Sequence, residues 1–371
     1  MNNTRKFLNK WHKRLRMFIR LLMFKLGSDT RPVFAVLTVT ASCNFRCKYC
    51  FSDYHLKREE PLSTEKIISI IDELAESGVI YLTVHGGEAL LRNDIGMILR
   101  HASGKKMFVN LITNGSLLQD RWEDVGCVDT LCISLDGREE NNDRNRGTGA
   151  FRAASEAVEF ALMRGAVVRL GMTITKHTQD DLQWVAGWAK ERGIYVHHFL
   201  LFDQESLPEE LRMTREENRI ALRELVRLKK TGYPVFYSLQ TLEYALNWPY
   251  DGPTLNKTDA EALRRKRTFE LMPCNYKTIN ILVESNGTLR VCNALARKAT
   301  HISIIDKPIM EAKRELLAND DCLYCYHLPK MEMTNLMSLQ PGAVLNQLVN
   351  QVREDIKAFI SSKRPDENRP E

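Results

Sequence analysis

From about residue 32 onward, short apolar runs alternate with segments whose apolar residues recur every three or four positions. Apolar runs rich in Val, Ile and Leu are typical of buried strands, and the three-to-four spacing is typical of amphipathic helices. The predicted strands cover residues 32–40, 79–85, 107–113, 130–135, 167–175 and 195–202, and the predicted helices cover 64–76, 93–103, 150–164 and 178–192. This alternation predicts an α/β fold with a parallel sheet and right-handed crossovers.

The pattern changes after residue 203. Helices are predicted over 214–230, 239–246 and 258–270, with a loop containing proline and glycine at 247–253. Strands 279–284 and 289–291 predict a β-hairpin around Asn286-Gly287. An amphipathic helix over 342–360 and a polar, disordered tail follow. We therefore divide the chain into an N-terminal helix 1–28, a core 32–203, a helical bridging segment 204–272, a cysteine-rich unit 273–335 and a C-terminal segment 336–371.

Residues 1–28 carry eight lysines and arginines and no acidic residue, more positive charge than the net +6 of the whole chain. Apolar residues here, among them Trp11 and Phe18, recur at helical spacing, which predicts an amphipathic helix. Such a helix suits an anionic membrane surface, with basic side chains at the headgroups and aromatic rings inserted. The alternative is packing on the protein's own core, a partner protein or an acidic peptide. Arg20 and Lys25 disfavour a signal peptide, and no apolar run reaches the ~18 residues of a membrane span.

The composition favours a cytoplasmic enzyme, with peripheral attachment to the inner face of the membrane as the finer hypothesis. The 371-residue chain is 44% hydrophobic and 27% charged, enough for one large core and a smaller accessory unit. Nine cysteines without a secretory signal indicate a reducing compartment and thiolates used as metal ligands. Charges outside the N-terminus are dispersed, so no nucleic-acid partner is expected.

Three cysteines follow the first predicted strand, where Cys43, Cys47 and Cys50 are spaced C-x3-C-x2-C. Three thiolates hold an iron–sulfur cube with one iron free for an outside ligand, as catalytic metal sites keep an open position. A Cys3His structural zinc site that includes His55 is the alternative. Zinc does not explain a second motif, the Gly86-Gly87-Glu88 run at the end of the next predicted strand.

The cysteine triplet, with Tyr49 before its last member and Gly86-Gly87-Glu88 downstream, resembles the radical S-adenosylmethionine (radical SAM) superfamily. The resemblance implies a partial (β/α)6 TIM-like barrel, open on one side, with its chemistry at the carboxyl ends of the strands. It also implies a SAM-binding 4Fe-4S cluster on the three cysteines and a reductase partner such as flavodoxin or ferredoxin. S-adenosyl-L-methionine then chelates the open iron.

The resemblance also implies how the two motifs contact SAM. Tyr49 is expected to support the adenine, and Gly86 and Gly87 to let the backbone approach the ligand closely. Glu88 is expected to accept a hydrogen bond from the SAM amine. The alternative for the glycine pair is an ordinary turn.

Polar residues after the fourth and fifth strands are implied as further SAM contacts. They are Ser134, Asp136, Arg146 and Thr173. Ser134 and Asp136 would contact the ribose and methionine portions, although a turn capped by Asp136 explains them equally well. Arg146, or its neighbour Arg144, would pair with the SAM carboxylate, and a surface loop charge is the alternative. Thr173 or Thr175 would reach the ribose, although threonine is favoured in strands in any case.

A second cysteine set lies beyond residue 270. Cys274 and Cys292 flank the predicted hairpin, and Cys322 and Cys325 form a C-x2-C pair. These four thiolates suffice for one closed cluster. The arrangement resembles the shortened SPASM extension, called twitch, of radical SAM enzymes, which implies a C-terminal hairpin and helix unit with one auxiliary 4Fe-4S cluster. A tetrahedral zinc site is the alternative.

Together these motifs predict an enzyme that cleaves SAM reductively to a 5′-deoxyadenosyl radical, which abstracts a substrate hydrogen atom. A closed auxiliary cluster that accepts an electron favours oxidative modification of a peptide or a biosynthetic intermediate. The basic N-terminal segment instead favours a membrane lipid or lipid-linked substrate. A non-catalytic iron–sulfur electron carrier or sensor is the alternative from another class, but it needs no Gly86-Gly87-Glu88 motif.

Overall fold

Six parallel strands, each followed by a helix, form the core of the protein. The computed structural model describes residues 3–27, 31–50, 61–201, 207–259, 269–292 and 301–361. The strands are β1 (Phe34–Thr38), β2 (Tyr81–His85), β3 (Phe108–Thr113), β4 (Thr130–Ser134), β5 (Val168–Ile174) and β6 (Tyr195–Leu200). Every neighbouring pair in this order is parallel. The predicted α/β partial barrel is confirmed, with strand bounds close to those predicted.

Helices lie where the apolar periodicity predicts them, but several others were not predicted. The helices are α1 (Asn3–Lys25), α2 (Thr64–Ser77), α3 (Ile95–Gly104), α4 (Trp122–Val125), α5 (Glu139–Arg146), α6 (Ala150–Met163), α7 (Leu182–Glu191), α8 (Arg215–Lys230), α9 (Leu239–Leu246), α10 (Tyr276–Ile279), α11 (Ile309–Ala318), α12 (Leu328–Met337) and α13 (Pro341–Ser361). Sequence patterns missed α5, α11 and α12, and also the short helices α4 and α10. The helix predicted over 258–270 and the tail after 361 lie largely outside the described residues.

Local signals explain the helix ends. The Ser63 hydroxyl accepts a hydrogen bond from the Lys66 backbone amide at 3.2 Å and so caps the start of α2. Gly78 ends the same helix with φ +105°, a left-handed conformation that favours glycine. Thr214 and Glu217 form a reciprocal capping box at the start of α8.

Strand register sorts the residues of the barrel into two faces. Leu37, Val84, Leu111 and Leu131 lie side by side and belong to the large core shared with the helices. On the opposite face, the first residues of β1, β2 and β3 (Phe34, Tyr81 and Phe108) are neighbours, and the Tyr81 and Phe108 rings stack at 4.9 Å. Aromatic side chains therefore line the barrel interior at its amino end.

The C-terminal hairpin continues the sheet of the barrel. Its strands are β8 (Asn280–Val283) and β9 (Thr288–Arg290), and β10 (His301–Ser303), which was not predicted, follows them. β8 pairs in parallel with β1, which gives one nine-stranded sheet. A second, two-stranded sheet joins β7 (Thr254–Asn256) to β11 (Cys322–Cys325). The hairpin is therefore built into the side of the barrel that was expected to be open.

Lys13 and Arg14 of α1 face the protein, which is the packing on the protein's own core that was considered beside the membrane surface. Lys13 Nζ donates to Asp129 Oδ2 at 2.7 Å, and Arg14 pairs with Asp355 of α13. Leu21 packs in a cluster with the first strand and α12. Removal of residues 1–28 would therefore uncover buried carboxylates as well as apolar surface.

The outward side of α1 is apolar and continues towards α13. We call these exposed side chains the apolar face: Trp11, Leu15, Phe18, Ile19 and Leu22 on α1, and Leu345, Leu348, Val349 and Ile356 on α13. Exposed apolar side chains on two contacting helices are candidates for an interaction site. Within the described ranges, neither α1 nor any other helix combines the length and apolar character needed to cross a membrane.

Candidate functional site

The loop that follows β1 holds the first three cysteines. Cys43, Cys47 and Cys50 are all half-buried, and the Phe45 amide donates to Cys43 Sγ at 3.4 Å. The Cys50 amide donates to the Cys47 carbonyl at 3.1 Å. This loop lies at the carboxyl end of the strands, where α/β barrels assemble their sites.

Gly86 and Gly87 make room for the cysteine loop itself. A Cβ on Gly87 would lie 2.3 Å from the Ser42 carbonyl oxygen, and one on Gly86 would lie 2.7 Å from that of Thr40. The Gly87 amide donates to the Thr40 carbonyl at 2.9 Å, and the Glu88 amide donates to the Ser42 carbonyl at 2.8 Å. The absence of side chains thus lets the protein backbone approach closely and fixes the loop on the end of β2, and the predicted approach of a ligand stays a prediction.

The Glu88 carboxylate is buried and already holds protein donors, and its predicted contact with the SAM amine stays a prediction. It is 1% exposed and accepts from the Asn114 amide and the Thr113 hydroxyl at 2.8 Å and from the Leu90 amide at 3.1 Å. Burial raises the pKa of this carboxyl group, and the three hydrogen bonds oppose that shift. Glu88 therefore joins the ends of β2 and β3.

Four of the predicted ligand contacts meet in one buried network. The Tyr49 hydroxyl donates to Asp136 Oδ2 at 2.6 Å, and Arg146 binds both Asp136 oxygens, from Nε at 2.7 Å and Nη2 at 2.8 Å. The Thr173 amide donates to Asp136 Oδ1 at 2.9 Å. The Arg146 guanidinium also lies 5.4 Å from the centre of the Tyr49 ring. Asp136 thereby ties the cysteine loop to β4, α5 and β5.

Burial sets the protonation of this region. It raises the pKa of the Tyr49 hydroxyl well above its usual value. Burial also lowers the pKa of Arg146, but Asp136 and Tyr49 more than offset it, so the pKa is raised overall and the guanidinium stays charged. Burial raises the pKa of the Cys47 thiol to about 11 and raises that of Cys43. Metal binding here must therefore release thiol protons.

The other predicted SAM contacts lie outside this network. Arg144 is exposed whereas Arg146 is buried, which separates these two candidates. Ser134 ends β4 half-buried beside Gly171. Thr175 is fully buried and accepts from the Asn145 side chain at 3.0 Å. The side chains of Ser134 and Thr173 are therefore the two candidates that stay partly exposed, at the rim of the site.

The four C-terminal cysteines form a second neighbourhood. The Cys274 amide donates to the Leu323 carbonyl at 2.9 Å, which brings Cys274 beside β11 and its two cysteines. A hydrogen bond from Cys325 lowers the pKa of Cys274 to about 6, and the same bond raises the pKa of Cys325. Burial raises the pKa of Cys322 to about 12, to which Cys274 and Cys292 add. Cys274 is thus close to Cys325, and Cys274 and Cys292 both act on Cys322.

Lys330 is a member of this neighbourhood that sequence reasoning missed. It is 2% exposed, and its Nζ donates to Cys292 Sγ at 2.8 Å. Its charge lowers the pKa of Cys274, after the larger effects of Cys325 and burial. Nothing in the spacing of the chain signals this contact, because 38 positions separate the two residues. A buried ammonium favours thiolates over thiols nearby.

Both cysteine sets fit a thiolate-held group in donor chemistry. Across the ranges the structure describes, no group of three or more His, Cys, Asp or Glu side chains stands at metal-binding spacing. His55, the predicted zinc alternative, lies outside the described residues.

The sequence matches a known family and several curated proteins. The family model described as Radical SAM superfamily matches residues 37–216. Fe-coproporphyrin III synthase of Methanosarcina barkeri is 29% identical over 68% of this chain and 65% of its own length. Mycofactocin maturase MftC of Mycobacterium ulcerans is 32% identical over 46% of this chain and 47% of its own. The chain thus spans at most about two thirds of these two relatives.

Solved structures share the fold. Native anSMEcpe with bound AdoMet aligns over 85% of this chain and 99% of its own, with a TM-score of 0.59 and 14% identity. Streptococcus suis SuiB bound to S-adenosylmethionine aligns over 76% of this chain and 65% of its own, with a TM-score of 0.58 and 16% identity. At such low identity the likeness extends to the architecture only.

Proposed function

Since the chain belongs to the radical SAM superfamily, we propose that it binds a 4Fe-4S cluster through Cys43, Cys47 and Cys50 and cleaves SAM reductively. The observation that carries this proposal is the cysteine loop, seated on Gly86 and Gly87 beside the Asp136 network. The cofactor supplies one electron to the sulfonium of SAM, which releases methionine and a 5′-deoxyadenosyl radical that abstracts a substrate hydrogen atom.

The chain's own residues bind and orient SAM. Asp136 accepts from the Tyr49 hydroxyl, and the Arg146 guanidinium lies over the Tyr49 ring. Tyr49 therefore offers a fixed surface to the adenine. Arg146 is matched by Asp136, so we assign it a positioning role and leave the carboxylate of SAM to the open iron. Ser134 and Thr173, at the rim, are proposed as the ribose contacts. Burial of this network excludes water from the reacting end.

We assign Cys274, Cys292, Cys322 and Cys325 to an auxiliary 4Fe-4S cluster in a twitch-like unit. Support comes from the shared neighbourhood of the four thiols and from Lys330, whose charge favours their ionised form. A closed cluster accepts the electron left after hydrogen abstraction, which favours an oxidative reaction. A flavodoxin- or ferredoxin-type reductase supplies the first electron.

The substrate class follows from relatives. Similar proteins include a mycofactocin maturase, a sporulation killing factor maturation protein and an AdoMet-dependent heme synthase. One structural neighbour was crystallised with a precursor peptide. We propose a peptide or a biosynthetic intermediate as substrate, in the cytoplasm.

We expect the two cysteine sets to have separable roles. Anaerobically reconstituted protein should hold about eight irons in two clusters. Alanine at Cys274 and Cys292 should leave about four irons and retain formation of 5′-deoxyadenosine from SAM under dithionite, because the first site is intact. Turnover of the candidate substrate should be lost. Iron analysis and chromatography of 5′-deoxyadenosine measure both.

Cys127→Ala is the matched control, because it removes a free thiol that belongs to neither cysteine set. It should keep about eight irons. Equal loss of SAM cleavage and product in the folded cysteine variant would contradict separate roles. A colourless protein that retains zinc after reconstitution would contradict the auxiliary cluster.

We further propose that the apolar face rests on an anionic membrane surface. Support comes from its adjacent exposed apolar side chains and from the basic residues of α1. Because Lys13 and Arg14 are paired inside the protein, insertion of apolar side chains contributes more than headgroup attraction. This attachment would favour a lipid-linked substrate as the second candidate.

Vesicle binding tests this surface. Wild-type protein should sediment with vesicles that contain phosphatidylglycerol. Ile19→Ser with Leu22→Ser should weaken binding about tenfold or more, because burial of each side chain is worth about 1.5–3 kcal/mol. Met97→Ser with Ile220→Ser, exposed apolar residues on α3 and α8, is the control and should bind normally. Failure of wild-type protein to sediment at low salt would rule out the membrane surface.

A further inference from the structure

A cavity occupies the amino-terminal half of the barrel interior. Its volume is about 410 Å³, within the ~300–1,000 Å³ typical of small-molecule sites. Phe34, Tyr81 and Phe108, which begin β1 to β3, line it, and Val36 and Thr83 line it one layer further in. A strand of five or six residues spans about 17–20 Å, so the cavity is at the opposite end of the barrel from the cysteine loop.

The cavity opens on the apolar face. Trp11, Leu15 and Phe18 of α1 line it and are 36%, 57% and 42% exposed. From the other side, Leu348 of α13 lines it and is 45% exposed. The mouth is therefore as apolar as the interior, which suits a hydrocarbon chain rather than a column of water.

Three polar side chains on the cavity wall are buried with atoms that lack partners. Within the described residues, Arg14 Nε and Nη2, the Tyr237 hydroxyl and both amide atoms of Asn280 have no hydrogen-bond partner. These residues are 6%, 1% and 3% exposed. An unsatisfied buried polar group costs about 1–3 kcal/mol, so such atoms point to a ligand that satisfies them.

Arg14 indicates the charge of that ligand. Its Nη1 bonds Asp355 and the Gln351 carbonyl, while Nε and Nη2 form the edge that binds carboxylates in a bidentate manner. The carboxylate on the wall, Glu332, is already held by the Ser238 and Thr241 hydroxyls at 2.7 and 2.6 Å. Beside the mouth, the Nε and Nη2 donors of Arg14 are thus available to the oxygens of a carboxylate or phosphate head group.

We propose that this cavity binds the hydrocarbon chain of a single-chain anionic amphiphile, with its head group at Arg14. The apolar walls and mouth favour a hydrocarbon chain, and the cavity volume admits one such chain. The open edge of the Arg14 guanidinium favours an anionic head group. This inference does not depend on the radical chemistry proposed above, because the cavity and the cysteine loop are at opposite ends of the barrel. A free fatty acid and the chain of a membrane lysolipid share this chemistry.

Competition against the fluorescent fatty acid cis-parinaric acid tests the proposal on the full-length protein. Palmitate or 1-palmitoyl-lysophosphatidylglycerol should displace the probe. Displacement by palmitate identifies a free fatty acid as a ligand, and displacement by the lysolipid alone identifies a membrane lipid. Octanoate should be at least about tenfold weaker, because each buried methylene is worth about 0.8 kcal/mol. Failure of both long-chain competitors, or octanoate as strong as palmitate, would overturn the proposal.

Two comparisons locate the site. Thr83→Phe places a ring in the cavity and should cause a loss of probe affinity, whereas Thr83→Val keeps the volume and should bind like wild type. Unchanged probe binding in Thr83→Phe would overturn the location.

Hexadecanol, which lacks the charge, should compete more weakly than palmitate, and equal competition would overturn the assignment to Arg14. If Thr83→Phe does not fold, the Tm of wild-type protein must rise with palmitate concentration, and an unchanged Tm overturns binding.

Discussion

Replacement of Cys43, Cys47 and Cys50 by alanine is expected to abolish formation of 5′-deoxyadenosine completely. The cluster that delivers the electron to SAM would then have lost its three proposed ligands. Iron content should fall from about eight to about four per chain, because the C-terminal set is untouched. Anaerobic assays with dithionite and SAM, followed by chromatography, measure the product.

Cys127→Ala provides the matched control, since Cys127 is also a half-buried free thiol but belongs to neither set. It should retain both clusters and full SAM cleavage. Continued formation of 5′-deoxyadenosine by the triple variant would show that the active site is elsewhere.

The second large effect is expected at Asp136. Asp136→Ala leaves the buried Arg146 charge without its partner and removes the hydrogen-bond acceptor of the Tyr49 hydroxyl and the Thr173 amide. Loss of one partner from a buried ion pair costs about 3–5 kcal/mol of the free energy of unfolding. The KM for SAM should also rise, because Tyr49 is no longer fixed. Urea unfolding of the metal-free protein and SAM-dependent rates measure the two effects.

Two further variants separate charge burial from general damage. Asp136→Leu with Arg146→Met removes both charges and should recover much of the stability, because no unpaired charge stays buried. Arg152→Ala, which breaks an exposed ion pair with Glu156 on α6, should cost ~1 kcal/mol or less. If Asp136→Ala is no less stable than Arg152→Ala, the network does not anchor the loop.

The barrel was predictable because its strands are strongly apolar and its helices are periodic, so local pattern and burial agree. The helix α5 was missed for the opposite reason. Glu139–Arg146 contains no apolar residue, yet it supplies Arg146 and, through its Asn145 carbonyl, accepts from the Lys48 amide in the cysteine loop. Hydrogen bonds to other parts of the chain stabilise α5, and hydrophobic periodicity does not detect such bonds.

Side-chain direction was less predictable than position. The Gly86-Gly87-Glu88 motif marks where the chain turns, but the inward direction of Glu88 depends on donors in β3 and the residue after it. The stripe on α1 was visible in the sequence, but its orientation depends on Asp129 and Asp355, which are 116 and 341 positions away from their partners. Such distant pairs appear only when the chain is folded.

The parallel pairing of β8 with β1 makes the C-terminal segment a cover for a strand edge. Without it, the β1 strand Phe34–Thr38 would present a row of free amides and carbonyls to solvent, directly beneath the cysteine loop. Exposed edges of this kind recruit strands from other molecules and lead to aggregation. The segment that carries the C-terminal cysteines therefore also protects the β1 edge, and its removal is expected to promote aggregation.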